Sequence, residues 1–390
     1  MIKVLLLIDY SSEFSRRLLK GLIQYSKDHG PWIFYRLPFY YKTLYGKEGI
    51  IRWIKEWEAD AVIAQWDHEG TNLLSTLNIP IILQNYKSRS AFFSNLTGDY
   101  TGTGEMAAKF FIKRRYKNFA FYGNKGVVWS QERGEGFRRE VEKCGGNYYY
   151  FESENLNGEQ WSKSHIELDD WLISLPKPVA LFACDDSFAL QVSEICKINN
   201  IKIPGEIALL GVDNDELLCS LSDPPISSIV LEVEKGGYEA GRLIDRYINK
   251  VNTNPSDIII KSTRLELRAS TEKYDISNEY ITKIVNYVED NFTSAIDIES
   301  LTHIVPLSRR NLEIKFKQEM GTSIYQFILQ CRIEYLSNLL LSSKRTLFDL
   351  AMESGFNDSK NISRVFKKIK GYTPIEYKKR HNNANINSVF

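Results

Sequence analysis

Two octapeptides near the carboxyl end decide how this chain is read. They are Arg310-Asn311-Leu312-Glu313-Ile314-Lys315-Phe316-Lys317, then Gly321, and Lys360-Asn361-Ile362-Ser363-Arg364-Val365-Phe366-Lys367, then Gly371. Phe316 and Phe366 stand 50 positions apart, as do Gly321 and Gly371. Residues four apart share a helix face, so Leu312 with Phe316, and Ile362 with Phe366, form the buried stripe of each copy. The opposite face of the first copy carries Arg309, Arg310, Asn311 and Ile314, with Ser308 as its cap. The second carries Ser359, Lys360, Asn361, Ser363 and Arg364, followed by Lys367, Lys368 and Lys370. Arg and Lys match the acceptors of guanine, Asn matches adenine, and Ser, Lys and helix N-termini suit phosphate. Either copy alone reads equally well as a solvated surface helix. Two copies at a fixed period read as tandem helix-turn-helix units that place a helix in the major groove of double-stranded DNA.

The surroundings are all-helical. Asn278–Asn291 is amphipathic, Ile298–Ile304 follows Asp297 as a cap, Ser323–Ser342 is a long helix, and Thr346 caps Leu347–Ser354. Gly355 turns the chain into a helix at Asp358–Lys370. The Asn-rich tail, residues 381–390, is expected to be disordered. Residues 276–390 hold 16 Lys and Arg against 12 Asp and Glu, whereas the remainder is slightly acidic. A basic end on an acidic body points the polyanion contact to that end.

The first 270 residues read differently. Apolar runs at Ile2–Asp9, Trp32–Tyr35, Asp60–Gln65 and Ile79–Leu83, then at Asn118–Tyr122, Gly146–Phe151, Val179–Ala183 and Ile207–Val212, alternate with amphipathic stretches. Such alternation indicates parallel sheets covered on both faces. Two series predict two lobes, with the boundary near Lys113–Lys117 and a return to the first lobe after about Ser227. The domains expected are therefore 1–270, a linker at 271–277, a helical DNA-binding domain at 278–380 and the tail at 381–390. The five cysteines are scattered without C-x-x-C spacing, which reads as reduced thiols of a cytoplasmic protein. No run has the length of a membrane span, so no membrane partner is expected.

Acids recur where strands end, which is where open α/β sheets bind ligands. Asp9, Asp67, Asp185 and Asp213 follow apolar runs, and Asp99 lies near the start of a helix. Capping a turn or helix accounts for any one of them equally well; five in register point to a polar cleft. Carboxylates that accept paired hydroxyls, an Arg and indole rings together suit a sugar.

Two family resemblances complete the reading. Residues 277–380 resemble the AraC/XylS-type DNA-binding domain, through Leu301-x-x-x-Val305-x-Leu307-Ser308-x-x-x-Leu312-x-x-x-Phe316-Lys317, Ala351-x-x-x-Gly355-Phe356 and Val365-Phe366-Lys367-Lys368-x-x-Gly371-Tyr372-Thr373-Pro374-x-x-Tyr377. That resemblance implies base contacts from Arg310 and Ile314 in the first unit and from Lys360 and Arg364 in the second. Ile314 departs from a polar reader and suits a thymine methyl.

The body resembles the LacI/GalR-type, periplasmic-binding-protein-like sensor. The residues are Trp129-x-x-x-Arg133-x-x-Gly136-Phe137, Ala183-Cys184-Asp185-Asp186-x-x-Ala189 and Gly211-Val212-Asp213-Asn214. It implies Arg133, Asp185 and Asp213 as sugar ligands, with Asp99 a further candidate, and Trp129 as stacking platform; Trp66 and Tyr10 are weaker platforms. LacI/GalR proteins carry their DNA-binding helices first, whereas here they come last. That order resembles regulators of the xylose-operon type.

The fold expected is thus an α/β two-lobed, periplasmic-binding-protein-like sensor plus an all-α domain with two helix-turn-helix units. The function expected is a sugar-responsive transcription activator, xylose favoured among pentoses. It would act as a homodimer with RNA polymerase as partner and no cofactor. The competing reading, an enzyme acting on a sugar or nucleotide, lacks a P-loop, a G-x-G-x-x-G after the first strand, and any metal-ligand spacing.

Overall fold

The apolar runs of the first part of the chain become strands, and the stretches between them become helices. In chain order these are β1 (Ile2–Leu7), α1 (Glu13–His29), β2 (Trp32–Arg36), α2 (Tyr41–Trp57), β3 (Ala61–Ala64), α3 (Thr71–Ser75), β4 (Ile81–Gln84), β5 (Ser94–Gly98) and α4 (Tyr100–Lys113). Then come β6 (Asn118–Asn124), α5 (Val128–Lys143), β7 (Asn147–Ser153), α6 (Trp161–Ser174), β8 (Val179–Ala183), α7 (Asp186–Ile198), β9 (Ile207–Val212) and α8 (Glu216–Leu221). The series closes with β10 (Ser227–Leu231), α9 (Val233–Ile248), β11 (Ile258–Ile260), β12 (Ser262–Glu266) and a 3-10 turn at Ala269–Thr271. This computed structural model describes residues 1–37, 41–66, 71–84, 88–153, 161–251, 254–272, 274–276, 278–343, 345–356 and 362–383. Its two compact units are Met1–Lys273 and Tyr274–Phe390.

The first unit holds two sheets, ordered β11-β5-β4-β3-β1-β2 (lobe 1) and β12-β10-β9-β8-β6-β7 (lobe 2). Pairing is parallel throughout except between β12 and β10. The chain crosses between lobes after β5, after β10 and between β11 and β12. The crossovers are bonded side by side: the Asp99 amide donates to Ile260 O at 2.9 Å and the Glu232 amide to Lys261 O at 2.9 Å.

The first crossing therefore lies at Gly98–Asp99, not at Lys113–Lys117. Helix α4 belongs to lobe 2, where it lies against α5 with backbones almost touching. A Cβ added at Gly104 would sit 1.9 Å from Arg133 O, and one at Gly136 would sit 2.1 Å from Thr101 O. Helices α1 and α9 meet in lobe 1 through Gly21 and Gly237 in the same way. β5 and β10 escape a hydropathy reading because their polar residues are buried and paired. Ser94 bonds Tyr247 Oη, Asn95 bonds Asp257, Ser227 bonds Ser270 and Thr271, and Ser228 bonds Asp186.

The second unit contains α10 (Glu279–Asn291), α11 (Ile298–Thr302), α12 (Arg309–Met320), α13 (Ile324–Ser342), α14 (Leu347–Glu353), α15 (Ile362–Lys370) and α16 (Pro374–Asn383). It has two apolar cores. One gathers α10, α11, α12 and the start of α13 around Phe316; the other gathers the end of α13 with α14 and α15 around Phe366. Both phenylalanines are fully buried. Each meets an aromatic ring eleven residues on, Phe316 with Phe327 at 5.7 Å and Phe366 with Tyr377 at 5.4 Å, both edge-to-face. Gly321 (φ 65°) and Gly371 (φ 81°) close α12 and α15 with matching bonds of 2.9 Å to Lys317 O and Lys367 O. The repeat thus extends beyond the octapeptides to the caps and the aromatic partners. Helix α16 runs to Asn383, past the expected start of the tail; residues 384–390 lie outside the described residues.

Candidate functional site

Arg133 joins several of the expected site residues in lobe 2. It stands on the second turn of α5, held by the Gly104–Gly136 packing, and only 3% of its surface is exposed. Nη1 donates to Cys184 O at 2.5 Å. Nη2 lies 3.6 Å from Asp213 Oδ1, an ion pair too long for a hydrogen bond. The guanidinium is flanked by two rings, Trp129 at 5.1 Å and Tyr100 at 5.5 Å, a geometry that stabilises the cation.

Asp213 follows β9 in a strained turn. Its φ is 99° and that of Asn214 is 53°, backbone positions that L-residues adopt only when their surroundings impose them. Those surroundings are explicit. Asp213 N donates to Ile229 O at 3.0 Å and Asn214 N to Ser228 Oγ at 2.9 Å. Asn214 Oδ1 accepts from Arg268 Nη2 at 2.8 Å. The buried Asp186 carboxylate accepts from Asp215 N at 2.8 Å and Ser228 Oγ at 2.6 Å. Asp186 thus clamps the turn that presents Asp213.

Asp185 follows β8 and caps α7, accepting from Phe188 N at 2.9 Å. Burial, reinforced by the charge of Asp213, pushes its carboxyl up to about 6. Burial also raises Asp213, against the pull of Arg133 and Arg17, and holds Asp186 well above the usual carboxylate range.

Five buried polar atoms have no hydrogen-bond partner among the described residues: the Tyr10 hydroxyl, Gln84 Oε1, Asn124 Oδ1, Arg133 Nε and Asp213 Oδ1. Tyr10 follows β1, Gln84 ends β4, Asn124 ends β6 and Asp213 follows β9. Buried polar groups are nearly always satisfied, and an array of exceptions at strand ends in both lobes is what a polyhydroxylated ligand would satisfy.

The remaining expected residues are placed as follows. Asp9 accepts from Ser11 N at 2.9 Å and Ser11 Oγ at 2.7 Å, and so is engaged in its own turn. Asp99 is exposed at the first crossover and caps α4 through Gly102 N at 3.0 Å. Trp66 is buried in the lobe 1 core with Leu5, Leu7 and Val62. Asp67 lies outside the described residues. Tyr100, Asn124 and Gln84 were not singled out in sequence, and Asp186 entered only within its motif, without a binding role; Gln84 and Asn124 sit at strand ends like the acids, and extending that criterion to amides would have found them.

The second unit presents charge outward. Ser308 accepts from Asn311 N at 3.4 Å and so caps α12. Arg309, Arg310, Asn311, Ile314 and Lys317 are exposed, with Arg309 3.3 Å from Glu313. On α15, Ser363, Arg364, Lys367 and Lys368 are exposed. Lys370 instead reaches back to Glu334 of α13 at 2.6 Å. Ser359, Lys360 and Asn361 lie outside the described residues. Among the described residues no His, Cys, Asp and Glu group could hold a metal ion, and no helix is long and apolar enough to cross a membrane.

A two-lobed sensor joined to paired helix-turn-helix units defines a DNA-binding transcription regulator rather than an enzyme. Residues 108–271 match the periplasmic binding protein-like domain and residues 301–380 a helix-turn-helix domain. The chain is a homologue of the xylose operon regulatory proteins of Escherichia coli strain K12 and Haemophilus influenzae. It is 26% identical to the first over 96% of each chain, and 27% identical to the second over 96% of this chain and 98% of that one. The solved structure of the xylose-binding transcription activator xylR shares its fold, with a TM-score of 0.61 and 24% identity over 97% of each chain.

Proposed function

We propose that this chain is a pentose-responsive transcription activator, D-xylose first, with sugar bound between the lobes of a sensor spanning residues 1–270. The observation that carries the reading is the pair of buried Arg133 and half-buried Asp213, its guanidinium flanked by Trp129 and Tyr100, together with unpartnered polar atoms at strand ends of both lobes. A buried charge pair left short of hydrogen bonds is destabilising; sugar hydroxyls bridging it would relieve that cost. In this reading Arg133, Asp185 and Asp213 hold hydroxyls and Trp129 covers an apolar sugar face. The names of the homologues over nearly the whole chain support D-xylose.

DNA would be read by Arg310, Asn311 and Ile314 of α12 and by Arg364 of α15, together with Lys360. Ser308, Arg309, Ser359, Asn361, Lys367 and Lys368 would hold phosphates or border the bases. Closing the lobes would alter the interface of a homodimer, and so the placement of its DNA-binding domains for contact with RNA polymerase in the cytoplasm. Sugar and DNA are then linked, each raising the affinity for the other.

Isothermal titration with D-xylose, L-arabinose, D-ribose and D-glucose tests the reading. Saturable binding of one pentose, weakened about 10- to 100-fold in Asp213→Asn, is expected. Asn tolerates the positive φ of this position, so the variant removes the charge without adding backbone strain. Heat of binding from none of the four would exclude a pentose effector.

A further inference from the structure

The Arg16 guanidinium links a loop of lobe 1 to a loop of lobe 2. Arg16 stands in the first turn of α1, in lobe 1. Its Nη1 donates to the carbonyls of Tyr10, at 3.2 Å, and Ser11, and its Nε to Glu13 Oε2 at 3.0 Å. Its Nη2 lies 3.5 Å from Asp215 Oδ2, in lobe 2. The Tyr10–Ser11 segment leaves β1 and carries one of the unpartnered buried atoms, the Tyr10 hydroxyl. Asp215 closes the turn that presents Asp213; it caps α8 through Leu217 N and Leu218 N, and its side chain is only 10% exposed.

We propose that Arg16 is a positioning residue that fixes the separation of the Tyr10 and Asp213 loops across the cleft, so that a displacement of either is transmitted to the other. Two physical features make the link stiff. The Asp213–Asp215 turn is held at every residue, by Ile229, Ser228, Arg268 and Asp186, with two residues at positive φ. It therefore moves as a unit rather than bending between Asp213 and Asp215. Withdrawal of Arg16 would also leave the Asp215 carboxylate, bonded through its own amide to Asp186, without its cation from lobe 1; largely desolvated carboxylates tolerate that poorly. A second ion pair between lobes, the bidentate Arg89–Glu132 bridge, differs in kind. Arg89 also bonds Thr97 beside the first crossover and touches neither loop.

Hydrogen exchange with mass spectrometry on the full chain, without ligand, tests the link. The amides of Ser11, Asp213, Asn214 and Asp215 are all hydrogen-bonded and so report local opening. Arg16→Gln and Asp215→Asn are each expected to speed exchange about threefold or more in both segments, 9–12 and 213–218. Asn retains the cap on α8, so the second variant removes charge alone. The double variant should be no faster than the faster single one, the mark of a shared interaction. Arg16→Lys should restore part of the protection, and an unfolding temperature near that of the parent establishes that each variant is folded. Arg16→Gln speeding only segment 9–12, or Asp215→Asn leaving that segment unchanged, would overturn the proposal.

A second arm rests on the sugar-sensor reading: D-xylose should bind Arg16→Gln about threefold or more weakly, with Arg16→Lys between it and the parent. If the parent itself does not bind D-xylose, that reading fails, and the exchange result alone decides the role of Arg16.

Discussion

The two units of this chain treat charge in opposite ways. The sensor buries it: Arg133, Asp186 and Asp215 are all enclosed, and Asp213 is held in a strained turn. The DNA-binding unit encloses apolar stripes and turns Arg310, Arg364, Lys367 and Lys368 outward. Buried charge is costly, and it is retained where a small ligand must be matched atom by atom in a low-dielectric site. Outward charge costs little and suits a polyanion that arrives with counterions to release. The difference also separates the sources of stability. The helical unit is built on two phenylalanine cores, whereas the sensor holds carboxyls raised by burial beside a buried guanidinium.

The sharpest way to break that contrast is to empty a helical core. Phe366→Ala should cost about 3–5 kcal/mol, since the ring is fully enclosed and its neighbours, Tyr377 among them, can collapse only in part. Phe316→Ala should cost a similar amount if the two copies are physically equivalent. Denaturant unfolding of each variant measures this; unequal losses would show that the repeat is one of pattern and not of packing. Next in size is the sensor. Asp213→Asn should weaken D-xylose binding by about 10- to 100-fold, the worth of hydrogen bonds to a charged acceptor. Because burial raises the Asp213 carboxyl, the same variant should leave thermal stability unchanged or raised. A loss of stability instead would mean that the Arg133 pair holds the fold together.

Sequence alone revealed the helical unit more fully than the sensor, for a physical reason. Leu312 with Phe316, and Ile362 with Phe366, are local patterns, and their caps lie a few residues away. In the sensor, strands of apolar residues such as Val179–Ala183 were equally legible, but β5 and β10 were not, because Ser94, Asn95, Ser227 and Ser228 are buried by partners far along the chain. The lobe boundary was misplaced because an amphipathic helix does not announce which sheet it will cover. The contacts of Gly104 with the Arg133 carbonyl and of Gly136 with the Thr101 carbonyl assign α4 to lobe 2. Asp213 entered as an acid at a strand end, and Arg133 through a family resemblance. The clamp by Asp186, the ring of Tyr100 and the bridge from Arg16 are encounters between residues remote in sequence, and no local pattern encodes them.

On the DNA side, the contrast sharpens into one between reading and holding. Arg364→Ala should cost about 1–3 kcal/mol and relax specificity at one base position, as for an exposed arginine aimed at a base edge. Lys368→Ala should weaken binding evenly across sequences and reduce the salt slope by about one. Fluorescence anisotropy against matched and substituted operators over a range of salt separates the two. Equal losses on every sequence for Arg364→Ala would place that residue on phosphate.

The smallest expected effect comes from pH, and here the buried carboxyls give stability and binding opposite signs. Burial and the Asp213 charge raise Asp185 to about 6, and burial raises Asp186 and Asp213 in the same direction. A carboxyl whose folded pKa lies above its unfolded value penalises the fold at neutral pH. That penalty is relieved as pH falls from about 6 towards about 4. Between about pH 7 and about pH 5.5 these groups therefore stabilise the unliganded sensor progressively. Over the same interval Asp185 loses the charge with which it would accept sugar hydroxyls, and D-xylose affinity should fall about threefold. Titration calorimetry and denaturant unfolding at the two pH values check both signs. Affinity and stability falling together would place the titrating group outside the cleft. Constant affinity would show that Asp185 serves α7 as a cap and leaves the sugar to Arg133 and Asp213.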